Sequence, residues 1–202
     1  MVLVTTGLRE RKKLRTRRRL GTAALDLAVR HGLADVTVEQ IAEAAEVSPR
    51  TFFNYFSSKE EAVVAAGVEH ARELADRLAA RPADEPVMAS LRAVMRELLG
   101  ESAPPKEWVA QVRLVRANPA LLPHQLAAHA QIEHSLRVVL AERTGLAPDD
   151  LHPALTAAAV MAAIRVATDR WLGSDEHADL GDVIDDALDL LAGGLRHPSR
   201  AP

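Results

Sequence analysis

Apolar residues recur along this chain at the three- and four-residue spacing of helices, and no segment alternates convincingly with the period of a strand. Leu20, Ala24, Leu27 and Ala28 form one stripe, on a helix predicted to begin in a basic stretch and run to His31, with Gly32 as its stop. Val38, Ile41, Ala42 and Ala45 form the next, in "TVEQIAEAA", where Thr37 and Gln40 stand at capping-box distance. A third helix opens at "VSPR". Ser48 can cap it, and Pro49 suits the first helical position because its missing N–H would be unpaired anyway. In "SSKEE", Ser57 with Glu60 and Ser58 with Glu61 both have capping-box spacing, opening a fourth helix that runs to about Ala80. Beyond "RPADEP", helices are predicted at about 86–100, 106–117, 120–144, 150–173 and 180–196, separated by Gly100, Pro104–Pro105, Asn118–Pro119, Gly145 and Gly173. The pattern predicts an all-α protein: an N-terminal three-helix unit, a linking helix and a larger helical domain.

Composition narrows the class. With 202 residues, 48% of them apolar, the chain can bury a substantial core, and it has no cysteine for disulfides or thiolate chemistry. The start, "MVLVTTGL", is apolar before it is basic, the reverse of a secretory signal. The wholly apolar run "AAAVMAAI" falls far short of the roughly 20 residues that cross a bilayer. These features predict a cytoplasmic protein with no membrane partner. The net charge is −3, but residues 9–19, "RERKKLRTRRR", carry eight Arg or Lys against one Glu, a local +7 that leaves −10 elsewhere. Such asymmetry points to a polyanion-binding end, or else to a solvated basic arm.

The aromatics sharpen this. All three Phe and the single Tyr fall within five positions, as Phe52, Phe53, Tyr55 and Phe56. Adjacent helical positions cannot all face one core, so some of these rings must point elsewhere. Two short helices, about 37–45 and 48–55, joined by the tight turn "EVS", fit a helix-turn-helix, whose second helix enters the major groove of DNA. Phe52 and Phe56, four apart, then share the buried face, while Phe53 and Tyr55 can meet DNA. Arg50, Thr51 and Asn54 complete the offered surface: arginine can bond guanine through two N–H groups and asparagine can bond adenine.

In these residues the chain resembles the TetR family of bacterial transcriptional regulators. That family shows an Ala-Gly-Val-Ser turn, a small residue and Thr, an aromatic cluster, then Phe-x-Ser-Lys-Glu. This chain reads "AEVSPRTFFNYFSSKEEAV", matching at Ala45, Val47, Ser48, Thr51, Phe52, Phe56, Ser58, Lys59 and Glu60. It departs at Glu46, where the family often has Gly and where a left-handed backbone would cost about 1–2 kcal/mol. The resemblance is specific over residues 15–65 and one of architecture beyond. It implies a DNA-binding domain at 1–60 and a helical ligand-binding and dimerisation domain at 61–202. It further implies phosphate contacts from Thr37, Tyr55 and Lys59, and base contacts from Arg50, Thr51, Phe53 and Asn54. For Thr37, capping alone is a sufficient reason for the residue.

A regulator of this type binds double-stranded DNA as a homodimer, because a two-fold operator mirrors a two-fold protein. The Ala-rich "LTAAAVMAAIRVA" and the stripe Val183, Ala187, Leu190 and Leu191 are candidates for the paired surface. The resemblance also implies release from a palindromic operator by a small, hydrophobic effector. Trp108, His129, Glu133, Met161 and Arg165 are the candidate ligand-binding residues, on or near the apolar stripes of their helices. An ion pair of Arg165 with Asp169 is the competing explanation for that arginine. His124, His129 and His134 recur every five residues, which scatters them around a helix rather than converging on a metal. No cofactor or metal site is predicted, and no phosphate-cradling Gly loop, HExxH pair or spaced triad marks an enzyme. The other reading the residues leave open is a helical interaction module whose basic arm binds anionic lipid or protein.

Overall fold

The computed structural model describes residues 7–99, 104, 106–174 and 179–195, all of whose regular elements are helices. In order they are α1 (Leu8–His31), α2 (Val38–Ala44), α3 (Pro49–Phe53), α4 (Lys59–Ala80), α5 (Val87–Leu99), α6 (Lys106–Ala117), a single 3-10 turn at Pro119–Leu121, α7 (Leu122–Thr144), α8 (Leu151–Gly173) and α9 (Leu180–Ala192). Local chemistry accounts for the boundaries. Gly32 (φ 86°) ends α1, its N–H donating to the Ala28 carbonyl. Thr37 and Gln40 make the full reciprocal capping box that opens α2, and the Ser48 hydroxyl accepts from the Thr51 N–H at the start of α3.

One boundary selects between two sequence-based expectations, and two differ from what the sequence predicts. At the start of α4 the box uses Ser58 and Glu61: Ser58 Oγ accepts from the Glu61 N–H, while the Glu61 carboxylate reaches back past Ser58 to the N–H and hydroxyl of Ser57. Helix α3 stops at Phe53, so Asn54 and Tyr55 stand just past its end. Helix α9 stops at Ala192 rather than about 196, because Gly194, at φ 72°, turns the chain. Its N–H donates to the Leu191 carbonyl, and the next N–H, of Leu195, donates to Leu190. That pair of bonds is the Schellman ending, for which glycine is the favoured residue.

The chain divides into two compact units, residues 1–70 with 106–129, and 71–105 with 130–202. The first holds α1–α3, the start of α4, α6 and the start of α7. Its core joins Leu20, Ala24 and Ala28 of α1 to Ile41, Phe52, Phe56 and Val63, with Val115 and Leu121 packed into the same cluster. Buried Gln111 of α6 donates from Nε2 to the carbonyls of Val63 (3.2 Å) and Val64 (3.4 Å), tying α6 to α4.

In the second unit α9 packs on α8 and α5, burying Leu180, Ile184 and Leu188. Arg92 pairs with Asp189, and Arg96 with Asp182 (2.8 Å) and Asp185 (2.6 Å), along the α5–α9 seam. Arg143 staples the loop after α4, donating to the carbonyls of Arg81, Pro82 and Glu85 and to the hydroxyl of Ser90. Helix α8 is long and apolar enough to cross a membrane by length and composition alone, with 28% of that stretch buried. Pro153, Ala157, Val160 and Ala167 form its buried side, whereas Leu151, Leu155 and Val166 are exposed.

Candidate nucleic-acid interface

Helices α2 and α3 are joined by Ala45–Ser48, and the side chains of α3 and of the residues just past it divide between two directions. Phe52 is 0% exposed and Phe56 2%, their rings 5.7 Å apart in the first unit's core. Phe53 is 59% exposed, edge-on to Phe52 at 5.4 Å. Arg50 and Asn54 are exposed beside it. Thr51 is half-buried, its hydroxyl 2.9 Å from that of Ser48. Arg50, Phe53 and Asn54 therefore make a water-facing patch with two strong hydrogen-bonding groups and an apolar ring, the chemistry that reads base edges.

The predicted phosphate contacts are placed less uniformly. Thr37 is exposed, and its hydroxyl oxygen accepts from the Gln40 N–H at 3.2 Å while remaining able to donate outward. Tyr55 is half-buried, packed against the core cluster rather than wholly turned from it. Lys59 is half-buried, its ammonium donating to the carbonyls of Ala34 (3.1 Å) and Val36 (2.7 Å). Lys59 thus fastens the α1–α2 loop to the start of α4, with one of its three N–H groups left over.

Two arginines of the basic run, both missed as individuals in the sequence, reach other parts of the first unit. Arg17 donates to the Tyr55 carbonyl at 2.9 Å, lies over the Phe56 ring and pairs with Glu61 at 4.0 Å. Its spacing to Leu20, Ala24 and Ala28, three, seven and eleven residues on, puts it on the buried stripe of α1, a signal hidden by the charges around it. Arg19 reaches the turn between α2 and α3 and pairs with Glu46 at 2.6 Å. Glu46 has φ 51°, the left-handed conformation, and completes a Schellman ending of α2: its N–H donates to Glu43, and that of Val47 to Ala42. The left-handed backbone costs a residue with a Cβ about 1–2 kcal/mol. An exposed ion pair returns about 0–1 kcal/mol. The remaining cations of the run, Arg9, Arg11, Lys12, Lys13, Arg15 and Arg18, are exposed on the first turns of α1.

The five candidate ligand residues are not gathered into one site by either unit. Trp108 and His129 belong to the first unit and are half-buried; Glu133 and Met161, also half-buried, and Arg165 belong to the second. Arg165 is exposed and pairs with Asp169 at 3.7 Å, one helical turn on along α8. A shallow groove of about 410 Å³ on α9, lined by Asp186, Asp189, Leu190 and Gly193, includes none of the five. Among the described residues no three His, Asp or Glu side chains gather where they could hold a metal.

Known proteins carry the same arrangement. The sequence profile of bacterial regulatory proteins of the tetR family matches residues 21–66, and that of the MftR C-terminal domain matches 85–196. The HTH-type transcriptional regulator TcmR of Streptomyces glaucescens is 35% identical over 206 aligned positions, covering 97% of this chain and 91% of that protein. The chain belongs to the TetR family. Solved TetR structures share its fold. The Thermus thermophilus FadR repressor in complex with lauroyl-CoA superposes with a TM-score of 0.59 at 24% identity, over 92% of this chain and 98% of that one. A triclosan complex of SmeT, from Stenotrophomonas maltophilia, gives 0.59 at 22% identity, over 93% and 97%. The matched tetR profile spans α2, α3 and the turn between them, so the exposed patch of Arg50, Phe53 and Asn54 lies on the helix-turn-helix of a TetR-family regulator.

Proposed function

We propose that this TetR-family regulator is a repressor that holds a palindromic operator as a homodimer and releases it when a small hydrophobic effector binds. The observation that carries the DNA half of this reading is the division of residues 50–56, in and just past α3, with Phe52 and Phe56 in the core and Arg50, Phe53 and Asn54 facing water. Residues 1–60 take the DNA-binding role in this reading. The exposed cations of α1 supply sequence-independent affinity, Thr37, Tyr55 and Lys59 position the backbone, and Arg50, Thr51, Phe53 and Asn54 read bases. Residues 61–202 take effector binding and dimerisation. Support for the dimer is the apolar surface that folding leaves over: Leu151, Leu155 and Val166 of α8, and Leu190 of α9 beside half-buried Val183, Ala187 and Leu191.

The hydrophobic character of the effector is supported by two structural relatives that hold lauroyl-CoA and triclosan. Trp108, His129, Glu133 and Met161, half-buried each, remain its candidate contacts, with Arg165 as the site of an anionic group. The test couples the two activities. The protein is used to select duplexes from random-sequence DNA, and the selected duplex is titrated with and without lauroyl-CoA or triclosan as probes. The expected result is a two-fold symmetric consensus whose binding a hydrophobic probe weakens while raising the protein's melting temperature. Selection that yields no consensus overturns the operator reading. A consensus whose binding no hydrophobic probe alters, across acyl chains and aromatic compounds, overturns the effector reading.

A further inference from the structure

Among the described residues α7, α9 and α2 each end on a left-handed residue, which is glycine at the first two, Gly145 and Gly194, but not at the third. At the end of α9 the left-handed position holds Gly194 (φ 72°); at the end of α2 it holds Glu46 (φ 51°). A backbone cost of this kind, kept at the turn of a DNA-binding motif, is a reason to look for what the side chain does there. The Glu46 carboxylate accepts an N–H from Arg19 at 2.6 Å, across the gap between the α2–α3 turn and α1. Both groups are open to water, with 82% of the Glu46 side chain and 45% of the Arg19 side chain exposed, so the pair adds little to folding. Arg19 is also the last cation of the basic run, on the helix that packs against α2 of the helix-turn-helix.

We propose that Glu46 restrains DNA binding by occupying Arg19, which would otherwise neutralise a phosphate. The inference rests on the DNA-binding reading above and adds a residue that tunes it. A cation that contacts a phosphate releases counterions and adds affinity on every sequence alike, whereas base contacts carry the discrimination. Holding one cation back lowers affinity on operator and bulk DNA together. The complex then depends more on Arg50 and Asn54 and dissociates more readily.

The experiment compares the natural protein with Glu46→Gln, Glu46→Gly and the double variant Glu46→Gln/Arg19→Ala, on the selected duplex and a scrambled one, from low to physiological salt. Glu46→Gln keeps the side-chain size and the strained backbone but removes the charge. It is expected to bind both duplexes more tightly, with a salt slope steeper by roughly 0.9 log units per log salt, one phosphate's worth, and an unchanged melting temperature. Glu46→Gly is expected to show the same gain with a higher melting temperature. Adding Arg19→Ala to Glu46→Gln is expected to abolish the gain and the added slope. Equal slopes for the natural protein and Glu46→Gln overturn the inference, as does a gain that survives the loss of Arg19. Both outcomes leave the DNA-binding reading standing. A natural protein that binds no duplex at low salt overturns that reading and this inference together.

Discussion

The guanidinium of Arg17 lies 4.3 Å from the centre of the Phe56 ring, so the basic helix and the end of the recognition segment are fastened by one side chain. The same group donates to the Tyr55 carbonyl, just beyond α3, where a helix end leaves backbone oxygens without internal partners. Arg17→Ala is expected to lower stability by about 1–3 kcal/mol, from a partly desolvated cation–π contact and a charge-assisted hydrogen bond. Arg17→Lys keeps the charge but not the planar fork, and should recover only part of the loss. Chemical denaturation of the two variants checks this. Equal stability of Arg17→Ala and the natural protein would make the arginine one more phosphate-seeking cation.

The four clustered aromatics should separate by assay. Phe52→Ala and Phe56→Ala remove fully buried rings and are expected to lower stability by about 3–5 kcal/mol. Phe53→Ala removes an exposed ring, and is expected to leave the melting temperature nearly unchanged while weakening binding to the selected duplex. Asn54→Ala should relax preference at one base pair by about 1–3 kcal/mol. Thermal melts and binding curves on selected and scrambled duplexes carry both readouts. A Phe53→Ala variant as unstable as Phe52→Ala would contradict the division of α3.

Arm truncation is a poor test of the basic run, because cutting residues 9–19 also removes Arg17 from Tyr55 and Phe56. Neutralising Arg11, Lys12, Lys13 and Arg15, all of them exposed and none of them Arg17 or Arg19, keeps the fastening in place. Affinity should fall on every sequence, and the salt slope should flatten by roughly 0.9 log units per log salt for each phosphate no longer neutralised. An unaltered slope would reduce these charges to a solvated surface.

Much of this architecture was legible because it is written in local signals. Thr37 with Gln40, Ser48 with Pro49, and Gly32 act over three or four residues, so spacing alone located the starts of α2 and α3 and the end of α1. The split between Phe52/Phe56 and Phe53 followed from the helical period. What spacing does not encode is a partner chosen across the fold. Lys59 looks like any helix-start lysine until the carbonyls of Ala34 and Val36 are seen beside it, and Gln111 and Arg143 are staples whose acceptors lie more than forty residues away. The candidate ligand residues suffer most from this. Each sits near an apolar stripe, but a stripe says which side of a helix is turned inward, not which residues from different helices meet.

Acid should loosen one corner of the second unit. Hydrogen bonds from the Arg81 guanidinium, then from the Ser90 hydroxyl, hold the Glu85 carboxyl down to about 2. The folded value lies below the unfolded one, so the associated stability is fully present above the ordinary glutamate range, about pH 4.3, and is lost as pH falls towards 2. Melting temperature followed through that window should drop for the natural protein by more than for Glu85→Gln, which is expected to start lower at neutral pH. Parallel acid profiles for the two proteins would show that Glu85 contributes nothing that titrates.

The α8–α9 surface gives the last prediction. On α8, Leu151, Leu155 and Val166 are exposed on the side opposite Val160 and Ala167, and on α9 Leu190 is exposed while Ile184 and Leu188 are buried. Since these exposed groups contribute little to their own unit's core, Leu155→Glu with Val166→Glu should leave helicity by circular dichroism nearly unchanged. The same changes place two carboxylates on each copy of a self-complementary surface, where each would lose water and meet its own like charge. Sedimentation is expected to show a monomer for the double variant and a dimer for the natural protein. DNA binding should follow, because two linked half-sites benefit from effective concentration and a single one does not. The variant should therefore lose affinity for a duplex with both half-sites much more than for one with a single half-site. A double variant that sediments as a dimer would place the subunit interface elsewhere on the molecule.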